Sequence, residues 1–274
     1  MIDPLRDISR QPPAPAIETV PVAMGKALVA IKDSAPALHA FTQTLEMSRR
    51  LRFPVAAVTV APIYEGDLGL SGIGSGHPAE DEPARLVLDG ALDMAVAEGL
   101  GLETFRATGL AHLSILEMVR GVGFGLVVLG RGRGWTSPFN VAVRVARQSP
   151  VDVLVIPQGW SVRFNHLVCG AIGVPPDPVL DTAIHLASLD DGRVTFFTLA
   201  GKPGPELPPA PRVKVETVRT PRELYLGLRA AARQEATDMV VFAEAPGGLQ
   251  SRWGLPPSIR LLRAARCPLW IVKV

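Results

Sequence analysis

Cysteine is nearly missing from this 274-residue chain, which holds only Cys169 and Cys267. Two thiols cannot build a disulfide framework or, by themselves, a thiolate metal site, so a reducing compartment is the simple reading. A charge of one sign is missing too. Lys and Arg number 28 against 26 Asp and Glu, a net +2, too balanced for a generic nucleic-acid binder. No stretch approaches the roughly 18 apolar residues that span a bilayer. Residues 1–10 carry Asp3, Arg6, Asp7 and Arg10 and no apolar core of a secretory signal. These absences set three expectations: a cytoplasmic protein, no membrane insertion and no nucleic-acid partner. Catalytic signatures are also lacking. There is no G-x-S-x-G elbow, no H-E-x-x-H, no C-x-x-C and no Walker A loop, which argues against an enzyme.

Apolar residues, by contrast, make up 47% of the chain, enough for a large core. Glycine and proline are abundant at 26 each and mark turns and linkers. Residues 1–24 hold Pro4, Pro12, Pro13, Pro15 and Pro21 without periodicity and read as an extended tail. Short apolar runs then alternate with helical periodicity. Lys26–Ile31 reads as a buried strand, with Ser34 positioned to cap a helix over 35–51. Val55–Val60 is a strand, and 61–79 a glycine-rich loop. A helix opens on Glu80, Asp81 and Glu82 and runs to about Gly99. Leu102–Thr108 is a strand, Leu110–Gly121 a helix, Leu126–Leu129 a strand, Gly130–Pro138 a Gly/Arg loop, Asn140–Arg147 a helix and Val151–Ile156 a strand. This alternation implies a parallel sheet covered on both faces.

The pattern repeats. His166–Ile172, Val194–Leu199, Val213–Val218, Met239–Phe242 and Leu269–Val274 read as strands. Pro178–Leu189, Pro221–Ala236 and a segment from Ser258 read as helices. Phe124–Gly130 answers Asp238–Ala243, and Arg144–Ile156 answers Leu261–Val272. Two diverged copies joined near Gln158–Arg163 fit this pattern. Between Leu199 and Arg212 the second copy has five prolines where the first has its acidic helix, so it is expected to lack that helix.

A strand that ends in a Gly-rich loop (Val127–Gly134), then a helix, then a final strand after Arg144–Pro150 resembles the universal stress protein family. So do Met239–Ala243 with Ala264-Ala265-Arg266-Cys267-Pro268-Leu269, and the opening Leu28–Ser34. The resemblance covers about residues 25–274 as a tandem, with a first domain at 25–158 and a shortened second at 163–274. It implies an α/β fold of two tandem open five-stranded parallel sheets, of the adenine nucleotide alpha-hydrolase-like type with strand order 3-2-1-4-5. It also implies pairing of the two last strands within one chain. An apolar edge strand invites such pairing.

In members that bind ATP, the loop after the fourth strand is patterned Gly-x2-Gly-x9-Gly-Ser/Thr, because backbone N–H groups and a helix N-terminus cradle phosphates. Here Gly130 fits the first glycine, Gly132 or Gly134 the second with shifted spacing, and Phe139-Asn140 stands where Gly-Ser belongs. The family's aspartate beside the base aligns with Lys32, one position before Asp33. In the second copy, Glu244 sits at the rim and would repel phosphate, and Pro256 and Pro257 remove donors at the helix start. The first reading is therefore a non-enzymatic stress-response, signalling or small-ligand module whose ATP motifs have degenerated in both halves. The second keeps ATP or AMP, with Mg2+ for a triphosphate, in the first half only. Its base would lie near Asp33 and Val60, and its phosphates on Gly130, Arg131, Gly132, Arg133 and Gly134, helped by Thr136, Ser137 and Asn140. A third reading is a weak ATP hydrolase. The glycine-arginine run also reads as a plain solvated turn. A homodimer and an unidentified protein partner complete the expectations.

Overall fold

The computed structural model describes residues 25–61, 78–132, 140–201, 212–245 and 255–274. Seven helices and ten strands lie in them. In the first half these are β1 (Ala27–Ala30), α1 (Ala35–Leu51), β2 (Val55–Ala61), α2 (Pro78–Ala97), β3 (Leu102–Thr108), α3 (Ala111–Val122), β4 (Leu126–Arg131), α4 (Val141–Gln148) and β5 (Asp152–Pro157). In the second they are β6 (His166–Ile172), α5 (Asp177–Ser188), β7 (Arg193–Leu199), β8 (Val213–Val218), α6 (Pro221–Ala231), β9 (Met239–Glu244), α7 (Pro257–Ala264) and β10 (Leu269–Ile271). The expected tail (1–24) and most of the 61–79 loop lie outside the described residues, as does the stretch said to have lost a helix.

Where two tandem five-stranded sheets are expected, their last strands pair and the two become one sheet. The strands form one ten-stranded sheet in the order β3-β2-β1-β4-β5-β10-β9-β6-β7-β8. Every pair is parallel except the middle one, where β10 runs antiparallel to β5 with Leu269 opposite Val155, Trp270 opposite Leu154 and Ile271 opposite Val153. The cause is local. Both strands are apolar and buried along their paired residues, and either would otherwise present a bare edge of unpaired N–H and C=O groups.

Because successive strand residues point to opposite faces, the sheet feeds two apolar layers, each continuous across both halves. One gathers α1, α2 and α5 over Val29, Val128, Leu154, Cys169 and Trp270. The other gathers α3, α4, α6 and α7 over Val127, Val153, Val155, Val240 and Ile271.

Three local expectations differ from the structure. Ser34 holds the N-cap position of α1, but its side chain makes no capping hydrogen bond. Helix α6 ends at Ala231 rather than Ala236 because the Ala232 carbonyl accepts the Arg266 N–H at 2.7 Å instead of continuing the helix. Strand β10 stops at Ile271 because the Lys273 N–H leaves the ladder for the Asp152 carboxylate, at 2.9 Å.

The segment between the halves is anchored rather than loose. The Gln158 N–H donates to the Arg131 carbonyl at 2.8 Å. His39 Nε2–H donates to the Trp160 carbonyl at 2.6 Å, and Gln43 Oε1 accepts the Val162 N–H at 2.7 Å. Phe164 is fully buried. Its N–H meets Asp190, which also pairs with Arg50, and the Arg50 guanidinium stacks over the Phe164 ring.

Gly130 is a packing requirement. A Cβ there would sit 2.1 Å from the Pro36 carbonyl oxygen in the first turn of α1. Gly130→Ala is expected to lower stability by about 1–3 kcal/mol, since the clash is with rigid backbone. Urea denaturation with an unchanged midpoint would contradict this close approach.

Candidate functional site

In an open α/β sheet, ligands lie beyond the carboxyl ends of the strands where the strand order reverses. In the first half that point falls between β1 and β4, which are neighbours in the sheet. The turn Ile31–Ser34 leads from β1 into α1 on one side, and Gly130–Gly132 ends β4 on the other. Lys32 and Asp33 are exposed there, and Val60 at the end of β2 is half-buried. Gly132 is also half-buried, and a Cβ on it would meet the Pro36 ring at 3.1 Å. Arg133, Gly134, Thr136 and Ser137 lie outside the described residues.

Asn140 is placed as a helix cap. Its side-chain Oδ1 accepts the Ala142 N–H at 2.9 Å, so one donor of the α4 N-terminus is already satisfied by the chain itself.

Arg131 is corrected. Expected as part of a cationic phosphate loop, it is buried at 9% exposure. Its guanidinium crosses to the second half and donates from Nη1 to the Leu262 carbonyl and from Nη2 to the Ala265 carbonyl. These belong to the last turn and C-cap of α7, where orphan carbonyls and the negative dipole end favour a cation. Burial holds the pKa of Arg131 below its ordinary value, partly countered by Cys267, yet a guanidinium stays charged there. The sequence carried a signal for this. Val127, Leu129 and Arg131 share one strand face, and the first two are core.

A second cation mirrors this contact. Lys273, just beyond β10, donates from Nζ to the Ala146 carbonyl in the last turn of α4, at 2.6 Å. Each half thus contributes the cation that covers a helix C-terminus of the other. Burial lowers the pKa of Lys273, and Glu244 and Asp152 oppose that shift. Burial raises the pKa of Asp152 against the hydrogen bonds from the Lys273 N–H and from Trp270 Nε1–H.

The corresponding strand end in the second half carries Glu244, which is not an open rim residue. Its carboxylate accepts the Ser258 hydroxyl and, at 3.3 Å, the Ser258 N–H. Ser258 is the second residue of α7, so a carboxylate of the chain itself occupies that helix N-terminus, where a bound anion would otherwise be favoured. Burial raises the pKa of Glu244, and the Ser258 contacts pull it back. Sequence reasoning had Glu244 repelling phosphate but missed its partner. The two residues lie on separate elements, 14 residues apart in sequence.

Elsewhere, chemistry-bearing groups are part of the packing. Cys169 and Cys267 are buried thiols, and burial pushes Cys267 up to about 12. No cluster of three or more His, Cys, Asp or Glu suited to a metal occurs among the described residues. No helix among them is long and apolar enough to cross a membrane. Three histidines are held below their ordinary value, each chiefly by burial: His112, with Arg144 adding to the shift, His166 and His185.

Two predictions follow from this geometry. Arg131→Met keeps the aliphatic stem but leaves two buried carbonyls without their charged donor, and is expected to cost about 3 kcal/mol in a urea or guanidinium unfolding titration. A loss under about 0.5 kcal/mol would count against the cross-half cap. For the histidines, a folded-state pKa below the unfolded one means that the unfolded chain binds more protons as pH falls through about 6.5. Stability is therefore lost on acidification through that range. The His112→Gln/His166→Gln/His185→Gln protein should lose less stability between about pH 7 and 5 than the wild type. Parallel stability curves would show that burial does not shift these groups.

Comparison with known proteins fits this architecture. No curated protein matches the sequence. Among solved structures, the fold is similar to that of a universal stress protein from Archaeoglobus fulgidus DSM 4304, with TM-score 0.64, 14% identity, and coverage of 91% of this chain and 96% of that one. It is also similar to a proposed universal stress protein from Pseudomonas aeruginosa UCBPP-PA14, with TM-score 0.60, 13% identity, and coverage of 92% and 94%. At these identities the likeness concerns the fold. In the sequence itself, residues 24–157, the segment from just before β1 to the end of β5, match the model of the Universal stress protein family.

Proposed function

We propose that this chain is a tandem universal-stress-type protein, with copies at 25–158 and 163–274, that acts as a non-enzymatic binding or signalling module in the cytoplasm. Its ATP site is degenerate in both halves. The observation that carries this reading is the use made of the residue that ends each fourth strand. Arg131 is drawn away to α7, and Glu244 supplies an internal anion at the start of α7. A phosphate arriving in the second half would have to displace a half-buried carboxylate from its donors and would meet Pro256 and Pro257, which offer no N–H. In the first half, the α4 N-terminus is partly satisfied by Asn140. On this reading, function lies with a protein partner or a ligand other than a triphosphate.

A second reading keeps ATP or AMP in the first half alone. The observation in its favour is position: Asp33, Gly130 and Gly132 stand at the strand-order reversal of the first half, the usual crevice for a ligand in such sheets. The base would rest near Asp33 and Val60. The phosphates would rest on Gly132–Gly134 with Arg133, Thr136 and Ser137, and Mg2+ would accompany a triphosphate. Arg131 has no part in it.

Calorimetric titration of the whole protein with ATP and with AMP separates the two readings. The variant for comparison is Arg133→Glu, because Arg131 variants would perturb folding. The first reading expects no saturable heat from the wild type at micromolar to millimolar nucleotide. Stoichiometric binding that Arg133→Glu weakens at least tenfold, about 1.4 kcal/mol, would replace it with the second.

A further inference from the structure

Helices α6 and α7 leave between them a groove of about 230 Å3 on the outer surface of the second half. Tyr225, Leu226 and Leu255 form an apolar floor, and Arg222, Arg229 and Arg260 stand around it. Leu226 is 45% exposed, and the Arg260 guanidinium covers the Tyr225 ring at 5.1 Å. No Asp or Glu lines the groove among the described residues. Arg222 and Arg260 also have contacts within their own chain, and the groove is distinguished by the sign and spacing of its charges.

The first half is built differently at the same place. There Arg144, on α4, donates to His112 Nε2 on α3 at 3.1 Å. Glu117 follows the buried Leu116 where Leu226 follows the buried Tyr225. The cationic apolar groove is thus a property of the second half.

Its complement lies on α2. Glu82, Leu86, Asp89 and Asp93 are all exposed, with Leu86 at 59%. Residues i, i+4, i+7 and i+11 share one face of a helix. Acid, leucine, acid therefore recur along α2 at Glu82, Leu86 and Asp89 with the spacing that base, leucine, base have along α6 at Arg222, Leu226 and Arg229. Glu82 also pairs with its neighbour Arg85 at 3.0 Å, an exposed contact worth little by itself.

We propose that the α2 stripe of one chain docks in the α6–α7 groove of a second copy. Leu86 meets Leu226, and the carboxylates of α2 face the guanidiniums of the groove. The contact cannot form within one chain. Helix α2 packs through Leu88, Ala91 and Ala95 on one apolar layer, while α6 and α7 pack through Leu224, Leu228 and Leu261 on the other. Stripe and groove are different surfaces, so the association is heterologous and propagates from copy to copy rather than closing on itself as a two-fold dimer.

Sedimentation velocity on the full chain tests this. At about 100 μM and about 50 mM salt, the wild type is expected to sediment as a concentration-dependent series of oligomers, shifting toward monomer at about 500 mM salt, where exposed charges are screened. Arg222→Glu/Arg229→Glu blocks the groove and leaves the stripe. Glu82→Arg/Asp89→Arg blocks the stripe and leaves the groove. Each variant alone, with stripe and groove of like charge, is expected to be monomeric, and an equimolar mixture of the two should associate again, since the intact stripe of one meets the intact groove of the other and the two reversed surfaces are also opposite in charge. The substitutions are at exposed or half-exposed positions, and circular dichroism checks that each variant is folded. A wild type that stays monomeric at low salt overturns the proposal. So does self-association that survives either variant, or a mixture that does not associate.

Discussion

The antiparallel pairing of β5 with β10 is the constraint on which the rest of the molecule depends. It turns two sets of five parallel strands into one sheet. It also fixes which groups of the two halves face each other across the seam. With the strands opposed, the carboxyl end of β4 stands level with the end of α7, and the residues after β10 stand level with the end of α4. Arg131 and Lys273 then reach carbonyls of the opposite half. Asp152 secures the seam by accepting the Trp270 indole N–H and the Lys273 amide. A half-buried carboxylate with partners of this kind is costly to disrupt, which favours one register over its neighbours.

Much of the fold was legible because apolar runs of strand length alternate with helical periodicity, and the backbone has few other ways to bury them. The limits of α1, β3, β6 and β8 follow directly from that pattern. The errors at element ends came from long-range hydrogen bonds that a linear reading cannot contain. Arg266 takes the Ala232 carbonyl and ends α6, and Asp152 takes the Lys273 amide and ends β10. The single sheet was foreshadowed by two apolar final strands, but its continuity is a tertiary fact.

The candidate site was less legible, and Arg131 shows why. In a Gly-Arg-Gly-Arg-Gly run, an arginine looks like one element of a solvated cationic loop. Strand alternation from Val127 and Leu129 instead carries it inward, and what it finds there, the end of α7, lies more than 130 residues away in sequence. Glu244 is similar: its sign was informative, but its partner Ser258 was not. Asn140 was legible as a helix start, and its side chain does cap α4. Composition thus identified which residues could carry charge at the strand ends. Only the packing assigns that charge to a helix terminus rather than to a ligand.

The position of β10 also imposes an order in time. Synthesis delivers β5 first, and roughly a hundred residues separate its end from Leu269, which at ribosomal rates is several seconds. Throughout that interval the nascent first half presents Val153, Leu154 and Val155 on an edge with no strand beside it. Such an edge is a template for any passing strand. Until β10 emerges, that edge stays open to mispairing with a neighbouring nascent copy.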